Sequence, residues 1–228
     1  MTSARSEFFA GLRAELPITL GVIPFGMIYG VLALGAGLPA DVAMAMSSIV
    51  FAGSSQLIGA PLIGAGAPFI VIWLTTLMVN LRHLLYSASV APYVTRLRPR
   101  WKWLLAYVLT DEAYAVTITH YNREELPLEN KHWYYLGAGL TLWSAWQIST
   151  ALGLFLGRQI PASWGLDFTL ALTFIALVVP RLKDRASLAS SFSAGVVAVL
   201  TYAWPYKTGL MLAALTGIVI GLWSERRQ

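Results

Sequence analysis

The chain has 228 residues, of which 57% are hydrophobic and 12% charged, with a mean hydropathy of +0.64. Charged residues are about half as frequent as in an average soluble domain, which excludes a soluble protein and predicts one membrane domain over residues 1–228. Basic loops facing anionic lipid account for the net charge of +5, so we expect no nucleic-acid partner; the lack of cysteine excludes disulfides, thiolate nucleophiles and cysteine metal sites.

The N-terminal segment, Met1–Leu16, is too charged for a signal peptide. Apolar residues recur in it at helical spacing, which predicts a short interfacial helix, although a frayed terminus fits equally well. The first predicted span, Leu16–Ala40, is uncharged but contains Pro24, closely followed by Gly26. Because proline removes a backbone donor and clashes with the preceding turn, we expect a kink or a break at Pro24.

Two further spans are predicted at Val42–Gly64 and Ala67–Ser89, since about 20 residues of helix cross the hydrocarbon core. In the first of them, Gly53 precedes the polar run Ser54-Ser55-Gln56. Consecutive helical residues point about 100° apart, so one face of a regular helix cannot use all three. We therefore predict an interrupted helix with Gly53–Gln56 near the middle of the bilayer, facing a cavity. The alternative is that these side chains only join neighbouring helices.

The second of these spans contains a denser polar run, from Asn80 to Ser87. In a continuous helix Asn80, His83 and Ser87 share one face, whereas Arg82 and Tyr86 share another. His83 is suited to titration near neutral pH, but we favour a structural role in which it makes a hydrogen bond.

Arg82 is the one formal charge between Val42 and Thr95. An arginine at bilayer depth costs about 2.5–3.5 kcal/mol on insertion scales, so it needs a partner, a wet cavity or an interface. Three interpretations remain open: Arg82 binds a substrate carboxylate, pairs with Asp111 or Glu112, or reaches the headgroups.

Asp111 and Glu112 are adjacent acids within the next predicted helix, Trp103–His120. Intramembrane carboxylates are candidates for proton or cation binding, so we predict this pair as the proton-coupling site. Tyr107 and Tyr114 flank Asp111 at i−4 and i+3, where they could hydrogen-bond to it. The alternative is an interfacial acidic pair that caps or orients the helix.

The remaining hydrophobic segments bring the total to about eight. They are His132–Gly157, Gln159–Pro180 with Asp167 inside it, Ala186–Tyr206 and Thr208–Trp223. The predicted fold is therefore an all-α polytopic transmembrane bundle of 7–8 spans, some of them discontinuous. Glycines four residues apart, such as Gly26 and Gly30, predict close helix packing. No catalytic, cofactor or metal motif occurs, so we expect no enzyme activity and no cofactor.

Several of these motifs together make the chain similar to a known family. They are Pro24-Phe25-Gly26, Phe51 to Gln56, Asn80 to Ser87, Thr110-Asp111-Glu112, Asp167-Phe168 and Pro180 to Arg185. In this respect the chain resembles the AzlC family, the large subunit of bacterial branched-chain amino acid exporters. The resemblance implies a multi-pass protein of the bacterial inner membrane that exports leucine, isoleucine, valine and their analogues with a small AzlD-like membrane subunit.

The candidate site residues follow from combining the motifs with the needs of a zwitterion. The predicted substrate-binding residues are Pro24, Gly26, Gly53, Ser54, Ser55, Gln56, Asn80, Arg82, His83 and Tyr86. Arg82 or freed amides suit a carboxylate, and Asp111 or Gln56 suits an ammonium group. We expect a proton-coupled secondary transporter; the alternatives are an exporter of another small amino acid, or a channel or scaffold that depends on the small subunit.

Overall fold

The computed structural model describes residues 3–122, 130–159, 182, 184–205 and 208–225, and in these residues every regular element is a helix. This confirms the all-α prediction. The ten helices are α1 (Ala4–Gly35), α2 (Ala40–Val50), α3 (Gly53–Gly64), α4 (Phe69–Asn80), α5 (Arg82–Val94), α6 (Pro99–Tyr107), α7 (Asp111–Tyr121), α8 (Lys131–Gly157), α9 (Arg185–Leu200) and α10 (Thr208–Glu225).

The first helix is much longer than the sequence suggested. Ser3 caps it by accepting a hydrogen bond from the Ser6 amide at 3.1 Å, and the helix then runs through Pro17 and Pro24 to Gly35. The N-terminal segment is helical as predicted, but it is the start of a long helix and not a short one, and a break at Pro24 is wrong. An interfacial position and a kink at Pro24 stay predictions. Proline is tolerated inside a membrane helix where neighbouring helices hold the backbone, and α1 packs along α8 for most of its length.

Glycines allow α1 and α8 to approach closely. A Cβ atom added to Gly30 would lie 2.6 Å from both the Thr150 carbonyl oxygen and the Leu154 amide nitrogen, and one added to Gly153 would overlap the Met27 backbone. Small residues at such contacts let helix backbones meet in lipid. The predicted packing role of these glycines is confirmed.

Three of the predicted spans are broken helices. The segment Val42–Gly64 is interrupted at Phe51 and Ala52, where Phe51 adopts a left-handed conformation with φ 41°. The segment Ala67–Ser89 is broken at Leu81, where α4 and α5 form a 43° bend. The segment Trp103–His120 is broken at Val108–Thr110. The prediction that some spans are discontinuous is confirmed.

Fewer helices than expected are long and apolar enough to cross a membrane by themselves. Within the described residues, α1 and α10 meet this test, and the bent pair of α4 and α5 makes a third crossing if it counts as one span. The predicted total of 7–8 spans stays a prediction, because breaks shorten several segments. Gln159 apart, the segment Gln159–Pro180, which includes Asp167, lies outside the described residues.

The described residues fall into two compact units. One lies within Met1–Ala60 and Thr76–Ile160, and the other within Pro61–Thr75 and Pro161–Gln228. In the second unit α9 packs on α10, and Ser190 Oγ donates a hydrogen bond to the Gly217 carbonyl at 2.8 Å. The assignment of residues 1–228 to a single transporter domain stays a prediction.

Candidate functional site

Arg82 joins three helices, each just after a break. Its Nη2 atom donates a hydrogen bond to Ser54 Oγ at 3.0 Å, and its Nη1 atom lies 2.8 Å from Asp111 Oδ2. Ser54, Arg82 and Asp111 belong to the first turns of α3, α5 and α7. We call these three residues, with the breaks that precede them, the broken-helix junction. Of the three interpretations of Arg82, pairing with an acid is the one observed, and Asp111 is the partner.

The local sequence explains why helices begin at the junction. Thr110 caps α7, its side chain accepting a hydrogen bond from the Ala113 amide at 3.3 Å, and the acids Asp111 and Glu112 complement the positive end of the helix. Arg82, by contrast, begins α5, where a cation opposes the helix dipole. Asp111 offsets that unfavourable placement.

A cavity of about 370 Å³ lies against the same three breaks. Its lining includes Phe51, Asn80, Leu84 and Tyr107, with His83 and Ser87 among its polar groups. This volume is at the lower end of the range for small-molecule sites, and most of the lining is apolar. The cavity can therefore hold a small molecule that has one aliphatic part and a few polar groups.

Hydrogen bonds to α8 hold one wall of the cavity in place. The Tyr107 hydroxyl donates to the Ser48 carbonyl and accepts from Trp143 Nε1, which lies 2.7 Å away. Ser48 Oγ in turn donates to Gln147 Oε1 at 3.1 Å. The end of α2 is thus tied to a continuous helix, although α2 itself stops at the break.

The three consecutive polar residues of α3 do not converge on the cavity, whose lining includes none of Gly53–Gln56; their place near the middle of the bilayer stays a prediction. Ser54 reaches Arg82, whereas Ser55 and Gln56 are completely buried, and Gln56 lies next to Tyr29. The break lies at Phe51 and Ala52, so residues 53–56 form the first turn of a new helix and not an unwound stretch. A residue larger than glycine would not fit at position 53, because a Cβ atom on Gly53 would lie 2.7 Å from the Trp146 ring.

Asn80, His83 and Ser87 do not share a face of one helix, because the chain breaks at Leu81 between the first two. All three nevertheless line the cavity, and His83 Nδ1 lies 3.2 Å from the Asn80 carbonyl oxygen. Tyr86 lies beside Arg82 and Asp111, and its ring stacks on Tyr114 with centroids 4.4 Å apart.

The predicted hydrogen bonds from Tyr107 and Tyr114 to Asp111 are wrong. Tyr107 bonds to the Ser48 carbonyl, and the Tyr114 hydroxyl donates to Ser89 Oγ at 3.0 Å. The i−4 relation of Tyr107 to Asp111 is lost because the helix breaks between them.

Two predicted site residues lie away from the junction. Pro24 is on the exposed side of α1, and a Cβ atom on Gly26 would lie 3.3 Å from the Trp146 carbonyl oxygen. Gly26 therefore has a packing role, and a role of either residue in substrate binding stays a prediction.

Sequence reasoning missed two acids of α1. Glu7 is buried and its Oε2 atom lies 3.1 Å from His120 Nε2, while Glu15 is completely buried. Glu7, Gly11 and Glu15 recur every four residues on the buried face that Thr19 continues. This four-residue spacing is the feature of the sequence that indicates buried acids. It was overlooked because charged residues near a span usually mark the membrane interface.

The chain is similar in sequence to several known membrane proteins. A membrane protein of Archaeoglobus fulgidus is 32% identical over 97% of both chains. Inner membrane protein YgaZ of Escherichia coli is 25% identical over 96% of this chain and 92% of its own. The branched-chain amino acid transport protein AzlC of Bacillus subtilis is 30% identical over 79% of this chain and 72% of its own. No solved structure matches.

The family model described as AzlC protein matches residues 17–160, a range that includes every residue of the broken-helix junction. Together with the Bacillus subtilis relative at 30% identity, this match shows that the chain belongs to the AzlC family.

Proposed function

We propose that this chain is a secondary transporter that exports branched-chain amino acids, with the broken-helix junction as its substrate site. The observation that carries the proposal is the contact of Arg82 with both Ser54 and Asp111 beside a largely apolar cavity. The name of the Bacillus subtilis relative supports this substrate class. Discontinuous helices that meet at a site are a common construction of secondary transporters.

The junction has a group for each part of a zwitterion. The Arg82 guanidinium binds the carboxylate, for which its planar fork is suited, and Asp111 accepts hydrogen bonds from the ammonium group. The aliphatic side chain enters the cavity beside Leu84 and Phe51. Substrate thus separates the ion pair and replaces it with two pairs of the same kind. The Arg82 and Asp111 side chains are about one-third exposed, so the described residues do not fully enclose the ion pair.

This exchange also provides a route to proton coupling. When the substrate carboxylate takes the place of Asp111 at Arg82, the freed acid loses its countercharge and gains affinity for a proton. Asp111 and Glu112 are adjacent in the first turn of α7 and form the proton-coupling pair of the proposal. The chain works in the bacterial inner membrane with a small AzlD-like subunit.

Counterflow of labelled leucine in proteoliposomes tests the proposal. The vesicles contain the chain with or without the small subunit, and a pH gradient is imposed in each direction. We expect saturable leucine exchange and gradient-driven accumulation that need Arg82. Passive, unsaturable flux would indicate a channel, and no flux with either preparation would indicate a scaffold.

Competition by unlabelled amino acids defines the substrate class. We expect isoleucine and valine to compete with leucine, and alanine and lysine to compete poorly, because the cavity is mostly apolar and small. If another small amino acid competed more strongly than isoleucine and valine, the proposed substrate would change, whereas the proposed transport mechanism would stand.

A further inference from the structure

Helices α2 and α3 fold back on each other at the break between them. A Cβ atom added to Gly59 would lie 3.2 Å from the Met46 Cε atom. A straight helix from Met46 to Gly59 would be about 20 Å long, since each residue adds about 1.5 Å. The two helices therefore form a hairpin, which we call the first hairpin, and its tip is the break at Phe51 and Ala52.

Contacts with α8 show from which end the first hairpin enters. Ser47 Oγ lies 3.2 Å from Thr150 Oγ1, and Ser48 Oγ, the next along α2, donates to Gln147 Oε1 at 3.1 Å. Rising residue numbers in α2 thus meet falling numbers in α8, so these helices run antiparallel. The first hairpin enters from the end at which α8 stops, and its tip reaches the middle of α8.

Helices α6 and α7 form a second hairpin, which enters from the other end of α8. The Trp101 ring of α6 lies near the Trp133 ring, with centroids 4.8 Å apart. Lys131, the first residue of α8, donates to the Tyr121 carbonyl oxygen at 3.0 Å. A straight helix from Trp101 to Tyr121 would be about 30 Å long, yet both residues meet the first turn of α8. The chain therefore turns back at Val108–Thr110.

Helix α5 ends on the side from which the second hairpin enters. The Tyr93 hydroxyl donates to Asn122 Oδ1 at 3.0 Å, just after the end of α7. Helix α1 begins on the same side, because a Cβ atom on Gly11 would meet the Tyr134 carbonyl near the start of α8. The bent pair of α4 and α5 lies between the two hairpins in the chain, so it carries the chain from one side to the other.

The tips of the two hairpins meet at the broken-helix junction. The Phe51 ring packs against Tyr107 with centroids 5.9 Å apart. Arg82 connects Ser54 of the first hairpin to Asp111 of the second. Residues of both tips line the cavity: Val50, Phe51 and Ala52 from the first, and Ala106, Tyr107 and Leu109 from the second.

We propose that these are re-entrant hairpins, which enter the membrane from opposite sides and close the cavity between their tips. Each of the four helices has at most 12 residues, or about 18 Å, whereas the hydrocarbon core is about 30 Å thick. Irregular backbone at this depth persists where protein or a cavity covers it, as at both tips. Substrate passes when the tips separate. This closure rests on the proposed export function, whereas the topology does not.

Basic residues assign the two sides. The end at which α1, α6 and α8 begin carries Arg5, Arg96, Arg98, Arg100 and Lys102. In the described part of the first unit, Arg158 is the one lysine or arginine at the other end. Cytoplasmic loops carry an excess of lysine and arginine, so the first of these ends faces the cytoplasm. A straight crossing by α2 and α3 would place the loop before α6 on the other side.

Single cysteines test this topology, because the chain has none of its own. The variants are Ser6→Cys, Asp41→Cys, Thr95→Cys and Asn122→Cys, all at exposed positions, in the full chain expressed in bacterial cells. A membrane-impermeant maleimide should modify Asp41→Cys in spheroplasts. The other three variants should react only in inverted membrane vesicles.

Each hairpin has its own contradicting outcome. Reaction of Asp41→Cys and Thr95→Cys from the same side would overturn the first hairpin, and reaction of Thr95→Cys and Asn122→Cys from opposite sides would overturn the second. The expected grouping with the two sides exchanged would keep both hairpins and overturn the cytoplasmic assignment. Arg98→Cys, also exposed, replaces Thr95→Cys if that variant does not fold.

A reversible crosslink tests the closure. Ala52→Cys and Ala106→Cys, one on each tip, are combined and bridged with a short bifunctional methanethiosulfonate. We expect the bridge to form, leucine counterflow to be lost, and reduction of the bridge to restore it. The control pair of Ala52→Cys and Thr95→Cys should not be bridged, because Thr95 follows the end of α5, far from the tips.

The outcomes of the crosslink separate the closure from the export function. Failure to bridge the two tips would overturn their meeting. Normal counterflow after bridging, or an equal loss when Ala52→Cys alone is modified, would overturn the closure. If the chain transports nothing before bridging, the proposed function and the closure both fall, whereas the cysteine labelling still decides the two hairpins.

Discussion

The pair of α1 and α8 and the broken-helix junction differ in helix continuity. Helices α1 and α8 are unbroken, whereas the junction is made of three helix breaks. Helix α1 contains two prolines and stays intact, whereas the breaks at Phe51–Ala52, Leu81 and Val108–Thr110 contain none. Proline is the usual cause of a helix break, so local sequence alone predicts the reverse. The difference shows that packing decides where these helices continue.

The two regions satisfy their backbones in different ways. Along α1, close contact with α8 at Gly30 and Gly153 leaves little room for the chain to leave the helix. At the junction the chain breaks beside polar side chains, and Arg82 contacts both Ser54 and Asp111. Irregular backbone at membrane depth persists only where protein or a cavity covers it, and the junction has both.

The largest expected effect comes from breaking the continuous pair. Gly30→Leu should destroy most of the folded protein, because its side chain would meet the Thr150 and Leu154 backbone, and overpacking typically costs about 1–3 kcal/mol or more. The yield of monodisperse protein and its thermal unfolding measure the loss. Gly21→Leu is the matched control, since a Cβ atom at Gly21 meets nothing within 4 Å. Equal loss in both variants would contradict the packing argument.

Breaking the junction should remove transport and leave the fold intact. Arg82→Lys keeps the charge but cannot hold Ser54 and Asp111 together through a planar fork, and a hydrogen bond to a charged group is worth about 1.5–3 kcal/mol. We expect leucine counterflow to fall about tenfold or more, with normal thermal unfolding. Arg96→Lys, at an exposed position outside the helices, should be fully active. Full activity of Arg82→Lys would exclude the fork as the substrate ligand.

Asp111→Asn tests the proton side of the junction. An amide keeps the shape of the carboxyl group but cannot take up a proton, so leucine exchange should persist while accumulation against a gradient is lost. Leucine exchange and leucine uptake driven by a proton gradient are measured in parallel, so that a loss of proton coupling can be told from a loss of substrate binding. Continued accumulation under a proton gradient would show that Asp111 is not a coupling group.

Ser54→Ala should have a smaller effect than either charge variant. It removes one of the two contacts of Arg82 and leaves the ion pair with Asp111 in place. We expect a loss of about threefold in counterflow, corresponding to less than 1 kcal/mol. Ser144→Ala, on an exposed position of α8, is the matched control. A Ser54→Ala loss as large as that of Arg82→Lys would mean that Ser54 also contacts the substrate.

The smallest expected effect is at the start of helix α9 in the second unit. Asp184 caps α9, and hydrogen bonds from the Ser187 amide and hydroxyl lower the pKa of this exposed carboxyl below its ordinary value. Its contribution to stability is therefore full at neutral pH and is lost as the pH falls through the lowered pKa. Thermal unfolding of the unaltered chain and Asp184→Asn should differ slightly at neutral pH and converge in acid. A difference that persists in acid would contradict the capping account.

Several features of the site were predictable because they depend on local chemistry. An arginine in an apolar segment requires a counterion, and Asp111 is that counterion. The polar run after Gly53 predicted an interrupted helix, and the helix is interrupted immediately before it, at Phe51 and Ala52. The shared helix face predicted for Asn80, His83 and Ser87 is wrong, because the chain breaks at Leu81, and the three residues instead line a cavity beside that break.

The features that failed depend on which helices meet. A break at Pro24 was expected because proline opposes a helix, but the contact with α8 is not visible in the sequence around residue 24. Glu15 was assigned to an interfacial segment because charges normally avoid the interior. Only the packing of helices against α1 buries Glu15 and brings Glu7 to His120.

The sequence by itself determined that this protein is a helical membrane protein, that its polar residues are concentrated in a few short runs, and that Arg82 needs a partner. These follow from composition and from the cost of polar groups in hydrocarbon, which act at every residue whatever its neighbours. Only the tertiary structure decided that three helix starts meet at Arg82, that α1 continues through its prolines, and that Glu15 is completely buried. Those outcomes depend on contacts between residues far apart in the chain. The free energy of such a contact depends on both partners, so neither local sequence predicts it alone.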